Sequence, residues 1–174
     1  MKNIYCTLDT ETVGGAAHPT GMYNVGAIIH DRKGEILATT SLLVMEHYDE
    51  IATDGYAKKN FPKYAERLKA GEISAIATER EAYEVIKNLC DHYGVRYVMA
   101  YNSGFDFCKT CFRDLLDTFE FIDLYLMALE TITHKKSYAE YCRTHDKRSK
   151  NGKTCATSVE AVYGYLHDNP DFEE

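Results

Sequence analysis

Ile4-Tyr5-Cys6-Thr7-Leu8-Asp9-Thr10-Glu11-Thr12-Val13, followed by Gly14-Gly15, is the stretch on which the fold turns. Residues 4–8 form an apolar, β-prone run near the N-terminus, the pattern of a strand buried in a sheet. Two carboxylates follow at i and i+2, just before a glycine pair expected to end the strand. Side chains alternate along a strand with a period of two, so Asp9 and Glu11 point to one face. Carboxylates that close repel and raise one another's pKa unless a cation lies between them. Hard divalent cations such as Mg²⁺ and Mn²⁺ are held by oxygen donors of this kind. The motif carries two readings: a metal site at the C-terminal end of a central strand, or a strand end in solvent.

The rest of the chain bounds those readings. Its 174 residues fit one domain, 1–174, with 45% hydrophobic and 12% aromatic residues to build a core. A formal charge of −7 argues against a general polyanion binder, though not against a nucleic-acid enzyme whose bound cations neutralise its carboxylates. No apolar stretch approaches a membrane span, and residues 1–4 lead straight into the core strand rather than into a signal peptide. Six cysteines without a secretion signal read as reduced thiols, which makes the expected compartment cytoplasmic.

Residues 23–30 and 35–44 read as two further strands around an Asp31-Arg32-Lys33-Gly34 turn, giving an N-terminal antiparallel meander. Residues 47–77 read as helical and irregular. They carry Lys58, Lys59, Lys63, Arg67 and Lys69 among aromatic residues. Such a run is a solvated helix face or a surface that tracks phosphates. Thr78-Glu79-Arg80-Glu81 resembles a helix start, Ala82, Val85, Ile86, Leu89 and Tyr93 keep helical spacing, and Gly94 closes the element. Residues 96–101 and 119–124 read as short strands, and 107–116, 125–132, 137–144 and 158–166 as helices. Strands first, then alternating helices and strands, predict an α/β fold with a mixed central sheet and helices on both faces.

Asp106 falls where the chain leaves a strand for a helix, with Gly104 expected to make the turn; ligand sites gather at such points. If the strands of Leu8 and Val98 are neighbours, Asp9, Glu11 and Asp106 converge. Three carboxylates of this kind suit a pair of cations about 3.5–4 Å apart that activate a water and stabilise a leaving oxygen.

Asp9-Thr10-Glu11-Thr12 and, about ninety residues later, Asn102-Ser103-Gly104-Phe105-Asp106 resemble the first two motifs of the DEDD (DnaQ-like) 3′–5′ exonucleases of phage and bacterial type. Phe121-Ile122-Asp123-Leu124 is also similar to a strand of that family, whose Asp caps the next helix. The resemblance implies a ribonuclease H-like fold and metal-dependent hydrolysis of terminal phosphodiesters of DNA or RNA to nucleoside monophosphates. It implies Asp9, Glu11 and Asp106 as catalytic metal ligands for Mg²⁺ or Mn²⁺. Thr10, through its backbone, and Phe105 would help seat the 3′-terminal nucleotide of a single-stranded nucleic acid, and Asn102 would sit beside that substrate or hold the site together.

One element of the family pattern is missing. Its third motif, a His with an Asp five residues later or a Tyr variant, is not found: His167 is followed by Asp168 and Asp171, at spacings of one and four. The chain is therefore expected to be a C-terminally truncated or degenerate member. A general base is typically worth about 10²–10⁴-fold, and the missing carboxylate leaves the second metal site incomplete. The alternative function is a catalytically impaired nucleic-acid- or protein-binding domain of the same fold. Cys108-x-x-Cys111 and Cys142-x-x-His145 have zinc-ligand spacing, but the first pair falls in an expected core helix, where buried free cysteine is common. His18, His30, His47, His92 and His134 carry no spacing signal.

Overall fold

The computed structural model describes residues 3–13, 21–107 and 110–172. The expected strand terminator Gly14-Gly15, the loop through His18 and Pro19, and Cys108 lie outside the described residues. Ile4–Val13 forms β1, which runs past both carboxylates; Ile4, Cys6 and Leu8 are buried and Tyr5, Thr7 and Asp9 lie on the more open face. Gly21–Asp31 (β2) and Ile36–Val44 (β3) complete an antiparallel meander, with Cys6 opposite Ile29 and Ala27 opposite Thr40. The Asp31 carboxylate accepts from the N–H groups of Lys33 and Glu35 and fixes the β2–β3 turn.

Between the meander and the next long helix lie α1 (Tyr48–Ile51), α2 (Gly55–Lys69) and a strand that the sequence reading missed, β4 (Ala75–Ala77). At three residues, β4 is too short to show a period, and it is specified by parallel pairing with Leu42–Val44. The helix α3 (Glu79–Tyr93) follows the expected signals. Thr78 and Glu81 form a reciprocal capping box, and Gly94, at φ 63°, ends the helix in the left-handed conformation. β5 (Tyr97–Ala100) then pairs parallel to β1, with Cys6 opposite Val98. The sheet is mixed and six-stranded, in the order β4-β3-β2-β1-β5-β6, where β6 is Glu120–Asp123.

The main core lies on the face of Ile4, Cys6 and Leu8, where Ala82, Tyr83, Ile86 and Cys90 of α3 meet Val25, Ala27, Ile29, Val98, Phe107 and Phe112. A smaller cluster of Val13, Tyr23, Ile51 and Ala57, flanked by Phe61 and Tyr64, seats α1 and α2 near the far end of β1. The expected helix over 107–116 takes another form: a single turn, α4 (Ser103–Asp106), and a 3₁₀ segment, Cys111–Asp117. The Thr110 hydroxyl bonds the Asp106 carbonyl and accepts from the Phe112 N–H, restarting the chain instead of continuing one helix.

The chain groups into two compact units, Met1–Ile122 and Asp123–Glu174. In the second, Asp123 caps α5 (Leu124–Ala128) by accepting from Tyr125 and Leu126 N–H. A π-turn over Leu129–Thr133 shortens the expected helix over 125–132. α6 (Lys136–Thr144) and α7 (Val159–Leu166) pack through Tyr138, Tyr141 and Tyr165. Between them the basic loop folds back through a bridge from Arg148 to Cys155. Among the described residues no helix is long and apolar enough to cross a membrane.

Candidate functional site

The C-terminal half of β1 carries the residues singled out from the sequence. Thr10 is buried between the two carboxylates, and its side chain takes the face opposite theirs. Its N–H and its hydroxyl both donate to the same oxygen of Asp106, at 2.9 and 2.8 Å. Asp106 is 2% exposed. A buried carboxylate must have such donors to remain ionised, and these arrive from a strand 96 positions earlier in the chain. The parallel β1–β5 pairing delivers this contact: β5 ends at Ala100, and Asn102 turns the chain into α4. The turn rests on Asn102 in the left-handed region at φ 63°, not on Gly104, which sits inside the helical turn with open space where a Cβ would be. Asparagine is among the few side chains that visit this region readily.

Glu11 is held on the other side. Tyr64 of α2 donates its phenol to Glu11 Oε1 at 2.8 Å, and Tyr23 donates to Oε2 at 3.2 Å. Tyr23 reaches Glu11 because β2 carries a bulge: Glu11 faces Asn24 while Thr12 faces Met22, leaving Tyr23 as the extra residue. Burial, and after it the Glu11 charge, push both phenols well above the ordinary tyrosine value. Asp9 is exposed, and its charge adds to the rise at Tyr64, so Asp9, Glu11 and Tyr64 share one neighbourhood. The run Lys58, Lys59, Lys63, Arg67 and Lys69 lies exposed on this same α2, with the Arg67 guanidinium 5.7 Å from the Tyr64 ring centre.

Asn102 is exposed and makes no side-chain cap, while its carbonyl accepts from Phe105 N–H. Phe105 is half-buried, and it is Phe107 that enters the core. Thr10 N–H, expected to seat a nucleotide, is occupied by Asp106. The structure thus brings Thr10 to Asp106 and Asp9 to Glu11. Asp9, Glu11 and Asp106 do not gather their ligand oxygens within 4.8 Å of one another.

A different group does. Among the described residues, the ligand atoms of Glu46, His47 and Glu79 all lie within 4.8 Å of one another. Glu46 and His47 lie between β3 and α1, and Glu79 opens α3. Cys111 lies beside them, its thiol donating to the Glu79 carbonyl at 3.3 Å; burial, then the charges of Glu79 and Glu46, push it up to about 12. Cys142 and His145 join no such group among the described residues. Sequence reasoning missed Glu46, His47 and Glu79 because they come from two segments more than thirty residues apart, with no fixed spacing. The one local trace is Glu50, three residues after His47.

No protein-family model and no curated protein sequence matches this chain.

Proposed function

We propose that this chain is a 3′–5′ exonuclease domain of the DEDD type with a ribonuclease H-like fold, acting on the 3′ end of single-stranded nucleic acid. The observation that carries the reading is the pair of hydrogen bonds from Thr10 to Asp106, which joins the Asp-x-Glu strand to the Asn102–Asp106 turn across β1 and β5. A central β1 between an antiparallel meander and a parallel strand supports the ribonuclease H-like reading.

Three carboxylates are hard oxygen donors, and their chemistry fits Mg²⁺ or Mn²⁺. Asp9, Glu11 and Asp106, whose oxygens do not meet within 4.8 Å of one another here, would have to draw together to hold the cations, which would supply an activated water and stabilise the leaving oxygen. The chain's own work is positional. Thr10 holds one oxygen of Asp106, while Tyr23 and Tyr64 fix the carboxylate plane of Glu11 from both oxygens. The basic, aromatic-bearing face of α2 supplies charge for a phosphate backbone next to Glu11.

The test is shortening of a single-stranded DNA labelled at its 5′ end, with Mn²⁺, Mg²⁺ or EDTA, by the parent and by Asp9→Ala. The expected result is metal-dependent loss of nucleotides from the 3′ end that Asp9→Ala abolishes. Absence of such shortening by folded parent protein would overturn the reading of this chain as a working nuclease. One observation favours a second reading, a catalytically impaired binding domain. None of the seven histidines is followed five residues later by Asp, so the usual general base is not supplied by these residues.

A further inference from the structure

We infer that Glu46, His47 and Glu79 form a binding site for one divalent cation of the zinc class, separate from the Asp9–Glu11 strand end. His47 decides the chemistry. Its Nδ1 lies 2.7 Å from Glu50 Oε1, and an ionised carboxylate only accepts, so Nδ1 carries the proton. Nε2 then faces Glu79 Oε1 at 3.5 Å, an oxygen that already accepts from Met22 N–H. Glu46 completes the group, with its own Oε2 accepting from the Glu79 N–H. With Nδ1 turned to Glu50, Nε2 is the ring atom that faces the Glu46 and Glu79 carboxylates, an arrangement that a cation bound among the three would stabilise.

The surroundings match those of a ligating histidine. Such a histidine donates its other ring nitrogen to a carboxylate, and its fellow ligands are hydrogen-bonded in turn. Glu50, Met22 N–H and Glu79 N–H fill those three roles here. The ring also has a built seat. A Cβ at Gly21 would lie 2.0 Å from the His47 ring, so the imidazole occupies space that only a glycine leaves open. One imidazole with two carboxylates is a common donor set for Zn²⁺ and its first-row neighbours and is poorly suited to Mg²⁺. The cation would tie the start of β2, the β3–α1 junction and the N-terminus of α3. Gly21 and Met22 pair with Val13 and Thr12, so this clamp would stand at the end of β1 that bears Glu11.

The experiment is calorimetric titration of the metal-stripped full chain with Zn²⁺ in excess Mg²⁺, which saturates hard oxygen sites, repeated with Co²⁺ to read ligand-field bands. The parent is expected to take up one equivalent and to give the intense visible bands of a low-coordinate Co²⁺ site. His47→Ala is expected to lose both signals, and Asp9→Asn to keep them. Glu50→Gln, a change at an exposed side chain, is expected to weaken binding by about 10–100-fold. No stoichiometric uptake by the parent would overturn the inference and assign the cluster to an imidazolium bridging Glu50 and Glu79. Parent-like titration of His47→Ala would overturn it equally. Should His47→Ala not fold, unchanged affinity in Glu50→Gln overturns it.

Discussion

Replacing Thr10 by valine tests the contact that joins the two halves of the candidate site. Valine keeps the shape of threonine and removes only the hydroxyl, so packing in the 6% exposed pocket is preserved. What is lost is the 2.8 Å bond to a carboxylate that is itself 2% exposed. Hydrogen bonds to charged groups are worth about 1.5–3 kcal/mol. Asp106 Oδ1 keeps the backbone N–H of residue 10, which places the loss near the middle of that range, about 2 kcal/mol. With a urea dependence of about 2 kcal/mol per molar, the midpoint should fall by about 1 M. Fourteen tyrosines and no tryptophan make tyrosine emission the probe. Thr10→Ser should recover most of the loss, because it restores the donor. In a double-mutant cycle with Asp106→Ala, the two changes should couple rather than add. A midpoint for Thr10→Val within about 0.2 M of the parent would refute the reasoning, since a hydroxyl worth nothing cannot be holding the carboxylate.

Two further outcomes follow from groups held in unusual states. Tyr23 and Tyr64 bind their protons more tightly folded than unfolded, so their stabilising contribution is complete below the ordinary phenol value of 10 and is lost as pH rises above it. Stability should decline above about pH 10 by up to about 1.4 kcal/mol per pH unit for each phenol. Tyr64→Phe should make the decline shallower in urea melts taken from pH 8 to 11; an identical slope would count against the Glu11 contact. In the second unit, the buried Tyr141 hydroxyl has no hydrogen-bond partner among the described residues. Tyr141→Phe should therefore be neutral or stabilising, by up to about 1 kcal/mol, because an unpaired buried hydroxyl is costly. A clear drop in melting temperature would reveal a partner.

How much of this was legible in the sequence depended on whether the cause was local. α3 could be read to the residue, since Thr78, Glu81 and Gly94 carry their reasons within the helix itself. The meander followed from apolar runs and turns, whereas the β1–β5 neighbourhood entered the sequence reading only as a condition, which the parallel pairing meets. β4 did not, because three residues carry no period, and neither did the bulge at Tyr23, which exists only in the pairing of two strands. Asp9, Glu11 and Asp106 stood out as carboxylates at strand ends, but their partners did not. Tyr64 reaches Glu11 from 53 residues away, and nothing in its surrounding sequence separates it from the other tyrosines. The left-handed turn was assigned to Gly104 by residue type, whereas the backbone places it at Asn102.

The position of β1 between a near and a distant partner also sets the order in which the site can be assembled. Pairing with β2 closes a short loop and sets Asp9 and Glu11, opposite Gly26 and Asn24, on a hairpin. Pairing with β5 joins Cys6 to Val98, and the entropy of closing so long a loop must be met before any contact rewards it. Asp106 arrives only with that second event. A nascent chain carrying the meander alone would display two of the carboxylates on an open edge while Thr10 still lacked the third. The chemistry proposed for this site would therefore be withheld until about a hundred residues had been threaded into one sheet.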